Sequence, residues 1–125
     1  MKDTFHETKV VATLAPAVQA ATLKGDAVDL QGHGSALLAV NTGAIVGAGV
    51  FDVKLQESNT TTDADFTDVA ADDLLGTLPT SLAASTVYRQ GYIGSKRYVR
   101  AVITKQSGTS IAASAAFVLG HPALA

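Results

Sequence analysis

Residues 51–58, FDVKLQES, alternate large apolar side chains with polar ones. Phe51, Val53 and Leu55 occupy every second position, and the residues between them are charged or carry an amide. Successive side chains of a β-strand point to opposite faces, so a period of two predicts a strand with one buried face. This stretch therefore predicts a sheet that packs on one side against a hydrophobic core.

The segments on either side of this stretch extend the prediction to an all-β chain. Further strands are predicted at residues 8–14, 18–23, 27–30, 35–42, 66–70, 86–93, 97–104 and 110–119. The run SALLAVNT at 35–42 is largely apolar, which suits a strand buried on both faces. After it, the glycine-rich stretch GAIVGAG predicts a connection that contains a tight turn or a bulge.

Two stretches predict interruptions of this strand pattern. Pro16 lies between the first two predicted strands, and proline is expected at a sheet edge or a bend because it lacks an N–H donor. The segment ADDLLGTLP at 71–79 is the one predicted helical turn, with Asp72 or Asp73 as its capping residue. Regularly spaced short strands with so little helix are typical of antiparallel sandwiches.

The fold class predicted is therefore all-β, an antiparallel β-sandwich of about eight or nine short strands with at most one short helical turn. A length of 125 residues fits one domain. We expect an N-terminal arm at residues 1–9 and a single sandwich domain at residues 10–125. The chain has no cysteine, so stability must come from packing or from assembly with other chains.

Charge and hydropathy exclude two classes of partner. The formal net charge is −2 and only 16% of the residues are charged, so there is no basic excess that would attract nucleic acid. No segment approaches the roughly 18 consecutive apolar residues of a membrane-spanning helix. We therefore expect a soluble protein that has neither nucleic acid nor membrane as its partner.

The acidic loop DADFTD invites a calcium hypothesis, because calcium binds several carboxylate oxygens on a flexible loop. Its acids are Asp63, Asp65 and Asp68. A complete EF-hand loop beginning at Asp63 would need glycine at its sixth place and glutamate at its twelfth, where this chain has Asp68 and Leu74. A solvated loop is the favoured interpretation, and no metal site is predicted.

The candidate catalytic residues do not form a motif. His6, His33 and His121 lack the short spacing of a zinc site, and the nucleophile pattern G-x-S-x-G does not occur. The glycines of GAIVGAG match neither a dinucleotide-binding motif nor a P-loop. We therefore predict no catalytic residue and no cofactor, and we do not expect an enzyme.

The stretch GYIGSKRYVRAVIT at 91–104 contains three of the nine lysines and arginines. It predicts a β-hairpin that turns at GSK, with Gly94 supplying the positive φ of the tight turn. The strand period places Arg97 and Arg100 on opposite faces, which disfavours a base-stacking surface. Lys96 and Arg97, at the turn, are expected to be the most exposed residues of this segment.

Four segments resemble the small proteins encoded among the head-assembly genes of tailed bacteriophages, prophages and gene transfer agents. They are AVDLQGHGSALLAVNTG, VKLQESNTTTDADFTDVAADDLLG, VYRQGYIGSKRYVRAVIT and the final GHP. The resemblance spans residues 10–122 and follows strands and turns rather than an active-site motif. It implies a virion structural protein made in the bacterial host cytoplasm, and it favours a decoration (cement) protein that stabilises the capsid exterior.

The same resemblance implies the major capsid protein as partner and a homo-oligomer, with a trimer favoured. The expected capsid or subunit contacts lie in the arm and in the segment around the GSK turn. They are Lys2, Phe5, Lys9, Lys96, Arg97 and Arg100. Two alternatives remain open: a carbohydrate-binding or adhesive sandwich module, and a structural component of the phage neck or tail.

Overall fold

Ten strands form two antiparallel sheets in the computed structural model, which describes residues 3–122. In spatial order, sheet one contains β1 (Lys9–Gln19), β10 (Ser110–Pro122), β4 (His33–Val46), β8 (Val87–Tyr92) and β7 (Leu74–Leu75). Sheet two contains β2 (Leu23–Lys24), β9 (Tyr98–Ser107), β5 (Val50–Ser58) and β6 (Thr67–Asp68), and β3 (Val28–Asp29) also pairs with β9. The prediction of an antiparallel β-sandwich is confirmed.

The core lies between the two sheets and follows the period of two. Phe51, Val53 and Leu55 are at most 5% exposed, as the alternation in FDVKLQES predicts. On sheet one, the inward positions of β10 include Phe117, which is completely buried, as is Leu38 on β4. Burying a side chain of this size contributes about 1.5–3 kcal/mol, so these positions account for much of the stability of the sandwich.

The predicted hairpin at residues 86–104 is wrong. β8 pairs with β4 and β7 in sheet one, whereas β9 pairs with β2, β3 and β5 in sheet two. Residues 93–97 therefore form a crossover between the two sheets. Gly94 does not have a positive φ, and its role is steric, because a Cβ atom there would come within 2.5 Å of the Tyr92 hydroxyl oxygen.

The first two predicted strands are one strand, β1, which forms an edge of sheet one. The pairing of β1 with β10 is irregular between Ala12 and Ala17, and Pro16 lies in this irregular part. An edge position leaves one row of N–H groups without a strand partner, so the missing N–H of proline costs nothing there. The expectation that Pro16 lies at an edge or bend is confirmed.

β4 is longer than predicted and is buried on one face only. Its side chains alternate between buried and partly exposed positions, so burial on both faces is wrong. Residues 43–46 of GAIVGAG continue β4, so the prediction of a connection in place of a regular element is wrong for them. The pairing with β10 shifts opposite these residues, as in the predicted bulge. The tight turn follows at Gly47, where φ is +62°.

The predicted helical turn is a 3-10 turn at Ala71–Asp73. Ala70 occupies its N-cap position and no side chain caps it, so capping by Asp72 or Asp73 is wrong. Two further 3-10 turns occur at Phe5–Glu7 and Asp63–Asp65. No helix within residues 3–122 is long and apolar enough to cross a membrane.

Candidate interaction surfaces

Arg100 lies on the outer face of sheet two, where the strand period places it, but its charge is engaged within the chain. Its Nε and Nη2 donate to Oε1 of Gln56 at 3.0 and 2.8 Å, and its Nη1 donates to Asp63 at 2.7 Å. The guanidinium carbon lies 4.1 Å from the centre of the Phe66 ring. Arg100 has 6% of its surface exposed, so it stabilises this face of the sheet and has little surface left for contact with a partner.

The acidic loop is held by donors from the same chain. Asp63 accepts from Arg100 and Lys24, and these hydrogen bonds hold the pKa of the Asp63 carboxyl below its usual value. Gln56 and Lys54 lower the pKa of Asp68 in the same way. Since Asp63 and Asp68 bind different side chains, the loop does not gather its carboxylates into one cluster.

The third acid of the loop, Asp65, accepts a hydrogen bond from the hydroxyl of Thr60 at 2.6 Å. Within residues 3–122, no group of three or more His, Cys, Asp or Glu side chains is placed to hold a metal ion.

One buried hydroxyl group helps to hold the crossover at residues 93–97 in place. Tyr92 donates to Oε1 of Glu57 at 2.7 Å and accepts from the backbone N–H of Lys96 at 3.1 Å. Burial, and then the hydrogen bond to Glu57, raise the pKa of Tyr92 far above the usual tyrosine value. These hydrogen bonds connect the crossover to the last residue of β8 in sheet one and to β5 in sheet two.

Arg97 forms a two-point pair with Asp29 at the same end of the sandwich. Its Nε and Nη2 donate to the two carboxylate oxygens at 3.0 and 2.9 Å. The pair lowers the pKa of Asp29 to about 2. Both side chains remain about half exposed, so a partner can reach Arg97 while it stays paired.

A cleft of about 550 Å³ opens beside the crossover. It is lined by residues 30–36, by residues 92–97 and by Asn59. Nδ1 of His33 is buried there without a hydrogen-bond partner. The sequence did not predict this cleft, because a hairpin at residues 86–104 would have kept both strands in one sheet.

The histidines are dispersed rather than gathered into a site. His6 bonds to Asp3, and Nδ1 of His121 lies 2.9 Å from the hydroxyl of Ser35. His33 lines the cleft. His6 and His121 therefore have different hydrogen-bond partners.

The strand register brings most of the predicted contact residues to one end of the sandwich. Lys9 pairs with Leu119, Leu119 with Ala36, and Ala36 with Tyr92, so one row crosses sheet one from the arm to the crossover. β1 begins in this row and β8 ends in it. The segment before β1 and the segment after β8 therefore leave the sheet at the same end.

We call this region, formed by residues 3–9 and 93–97, the end surface. Phe5 is 81% exposed, and Lys9 and Lys96 are also exposed. Arg97 lies on the end surface in its pair with Asp29, whereas Arg100 lies on the outer face of sheet two. Lys2 lies outside the described residues.

Solved structures share this architecture. No protein-family model and no curated protein sequence matches this chain. The SPBc2 prophage-derived protein YomS matches 95% of this chain and 97% of its own, at 13% identity and a TM-score of 0.52. VP2 of the infectious bursal disease virus subviral particle matches 92% of this chain and 32% of its own, at 10% identity and a TM-score of 0.50. At such low sequence identities, these similarities show a shared fold alone.

Proposed function

We propose that this chain is a structural protein of a phage virion, a head decoration (cement) protein that binds the major capsid protein on the outer head surface. It stabilises the capsid lattice by adding contacts between neighbouring subunits and performs no catalysis. The bacterial host cytoplasm is its site of synthesis, and the virion is its site of action. Neither nucleic acid nor a membrane is its partner.

The observation that carries this proposal is the gathering of the arm and the crossover at the end surface. Phe5 offers an apolar side chain, and Lys9 and Lys96 offer cations within one exposed region. Aromatic residues are enriched at protein interfaces, and charged side chains around them steer and orient an approaching partner. Many weak contacts of this kind add up when a protein binds at repeated positions on a lattice.

The fold supports the same proposal. The similarity to a prophage-derived protein covers nearly the whole length of both chains, and the similarity to VP2 covers a part of a protein that forms a subviral particle. A sandwich without a long helix supplies a rigid platform for short exposed segments. The resemblance of the sequence to phage head-module proteins points in the same direction.

Binding to purified particles of the encoding phage tests the proposal. We expect the wild-type protein to sediment with particles to a fixed copy number. Deleting residues 1–8, or the substitution Lys96→Glu, should weaken binding at least tenfold. Lys105→Glu is the matched control, because Lys105 lies toward the opposite end of β9. Absence of wild-type binding, or equal binding by all variants, would overturn the proposal.

Electron cryomicroscopy of the decorated particle separates decoration from a neck or tail role. Copies distributed over the capsid exterior would support decoration, and copies confined to the portal vertex or the tail would assign the chain there instead.

Carbohydrate binding is the other alternative, and in the described chain it would rest on the cleft beside the crossover. Tyr92, Phe51 and Phe117 are buried, and the Arg97 guanidinium lies 5.1 Å from the centre of the Tyr98 ring. Binding of the isolated protein to a glycan array, together with no recruitment to particles, would favour this alternative.

A further inference from the structure

The outer face of sheet one is almost free of charge. Side chains of β10 point alternately toward the core and toward the outer face. The strand pairing identifies the residues of β1, β4, β8 and β7 that lie on the same outer face. We call this surface the apolar face. It consists of Val10, Ala12, Val18, Leu37, Ala39, Asn41, Gly43, Leu75, Val87, Arg89, Gly91, Ala112, Ser114, Ala116 and Val118. Arg89 is the only ionisable residue among these positions.

The apolar side chains on this face are open to solvent in the isolated chain. Val10, Val18, Val87 and Leu75 are 66%, 68%, 71% and 56% exposed. They make up half of the eight large hydrophobic residues that are exposed in the described part of the chain. A soluble monomer rarely leaves so many apolar side chains exposed on one contiguous surface.

The outer face of sheet two has the opposite character. Lys24, Lys54 and Arg100 form ion pairs across it with Asp63 and Asp68. Gln106 donates to Asp52 near the far end of the same sheet. A charged face of this kind is stable in contact with water, so the two outer faces of one sandwich are suited to different surroundings.

The size of the apolar face fits a protein interface. Strands lie about 4.8 Å apart and rise about 3.4 Å per residue, so three strands of about ten paired residues and the six residues of β8 cover about 590 Å². A standard interface buries about 800 Å² per partner. The patch therefore approaches the area that a stable dimer needs, and it has the apolar composition typical of homodimers.

We propose that a second copy of this chain covers the apolar face, so that two sandwiches pack face to face through their first sheets in an isologous dimer. An apolar surface with a single charged residue is complementary to itself, since most of it meets its own copy without electrostatic repulsion. The alanines and glycines at its centre allow two sheets to approach to the usual separation of about 10 Å. A dimer of this symmetry differs from the trimer that the sequence resemblance favours.

Arg89 does not oppose this arrangement. It lies on β8, next to the short edge strand β7, and it is exposed. Its long aliphatic part can cover the neighbouring apolar side chains while the guanidinium group reaches water at the rim. Glu7 and Thr8 of the end surface border the apolar face, since they line one depression together with Leu37 and Val118. The dimer is tested on the isolated protein, so its outcome does not depend on the proposed capsid binding.

Sedimentation velocity of the isolated protein at about 10–200 μM tests the proposal. We expect the wild-type mass to be that of a dimer, and Ala116→Glu to weaken association at least tenfold, because it places a charge between Ala12 and Ala39 on the apolar face. Thr104→Glu is the matched control, since it places the same charge on the outer face of sheet two and should leave the dimer intact. A wild-type monomer or trimer would overturn the proposal.

A second variant keeps the test decisive if Ala116→Glu fails to fold. Val10→Ser combined with Val87→Ser changes two side chains that are mostly exposed in the isolated chain, so the core of the sandwich is preserved. This double variant should be folded by circular dichroism and mainly monomeric at 10 μM. A folded double variant that dimerises like the wild type would show that the apolar face is not the interface.

Discussion

Asp29 and Arg97 join a residue of β3 to the last residue of the crossover, and this pair makes stability depend on pH. The pKa of the Asp29 carboxyl is about 2 in the folded chain, whereas its ordinary value is 3.8. A lowered folded-state pKa stabilises the fold above the ordinary value, and this contribution disappears as the pH falls through the lower one. The stabilisation is therefore complete above about pH 4 and absent below about pH 2.

The substitution Asp29→Asn removes this contribution. We expect its urea midpoint to lie below that of the wild type at pH 7 and to approach the wild-type value as the pH falls from 4 to 2. Asp72→Asn, at an exposed position of the Ala71–Asp73 turn, is the control and should follow the wild-type curve. A constant difference between Asp29→Asn and the wild type across this range would contradict the prediction.

Arg100 illustrates what the sequence predicts at the level of one residue. The period of β9 assigns it correctly to the face opposite Val99 and Ala101, which are completely buried. Its partners are Gln56 and Asp63, which are 44 and 37 residues away. Local patterning determines the face of a strand, whereas such long-range partners depend on the packing of the whole sandwich.

At the level of elements, the crossover at residues 93–97 explains why the chain has glycine at position 94. A Cβ atom there would lie 2.5–2.7 Å from three atoms of the Tyr92 side chain. That side chain cannot move freely, because its hydroxyl group bonds to Glu57 and to the backbone of Lys96. Steric crowding at a packed site typically costs 1–3 kcal/mol, and we expect about that loss for Gly94→Ala.

Urea denaturation with circular dichroism measures this change, and Ser95→Ala at the next, exposed position is the control. Ser95→Ala should change the free energy of unfolding by less than about 0.5 kcal/mol. A Gly94→Ala variant as stable as the wild type would mean that the Tyr92 ring yields without cost. The hydrogen bond to Glu57 could then not hold the crossover in place.

Strands were predicted correctly where the residues of the strand itself show a recognisable pattern. FDVKLQES forms β5 in sheet two, where Phe51, Val53 and Leu55 are buried at every second position. RYVRAVIT includes the start of β9 in the same sheet, although all residues from Val99 to Ile103 are buried there. Strand pairing was not predictable in this way, because alternation does not specify the neighbouring strand. A short polar connection such as GSK suits a hairpin and a crossover between sheets equally well. The packing of the core between the two sheets determines which of these two connections forms.

For the whole molecule, the sequence did not predict that one outer face is charged and the other apolar. The outward residues of β5 and β9 are mostly polar, which produces the alternation of FDVKLQES. The outward residues of β4 and β10 on the apolar face are alanine, glycine, leucine and valine except for Asn41 and Ser114, so these strands appear largely apolar. Such a run is typical of a strand buried on both faces. A second copy on the apolar face would complete that burial.

This asymmetry predicts how association responds to salt. Exposed charges are screened at high ionic strength, whereas burial of apolar surface is not weakened by it. Since the apolar face has one ionisable residue, we expect the dissociation constant of the dimer to change less than threefold between 50 and 500 mM sodium chloride. Sedimentation equilibrium measures this constant. A dimer held by the ion-paired face of sheet two should instead weaken about tenfold, and that outcome would assign the contact to the charged face.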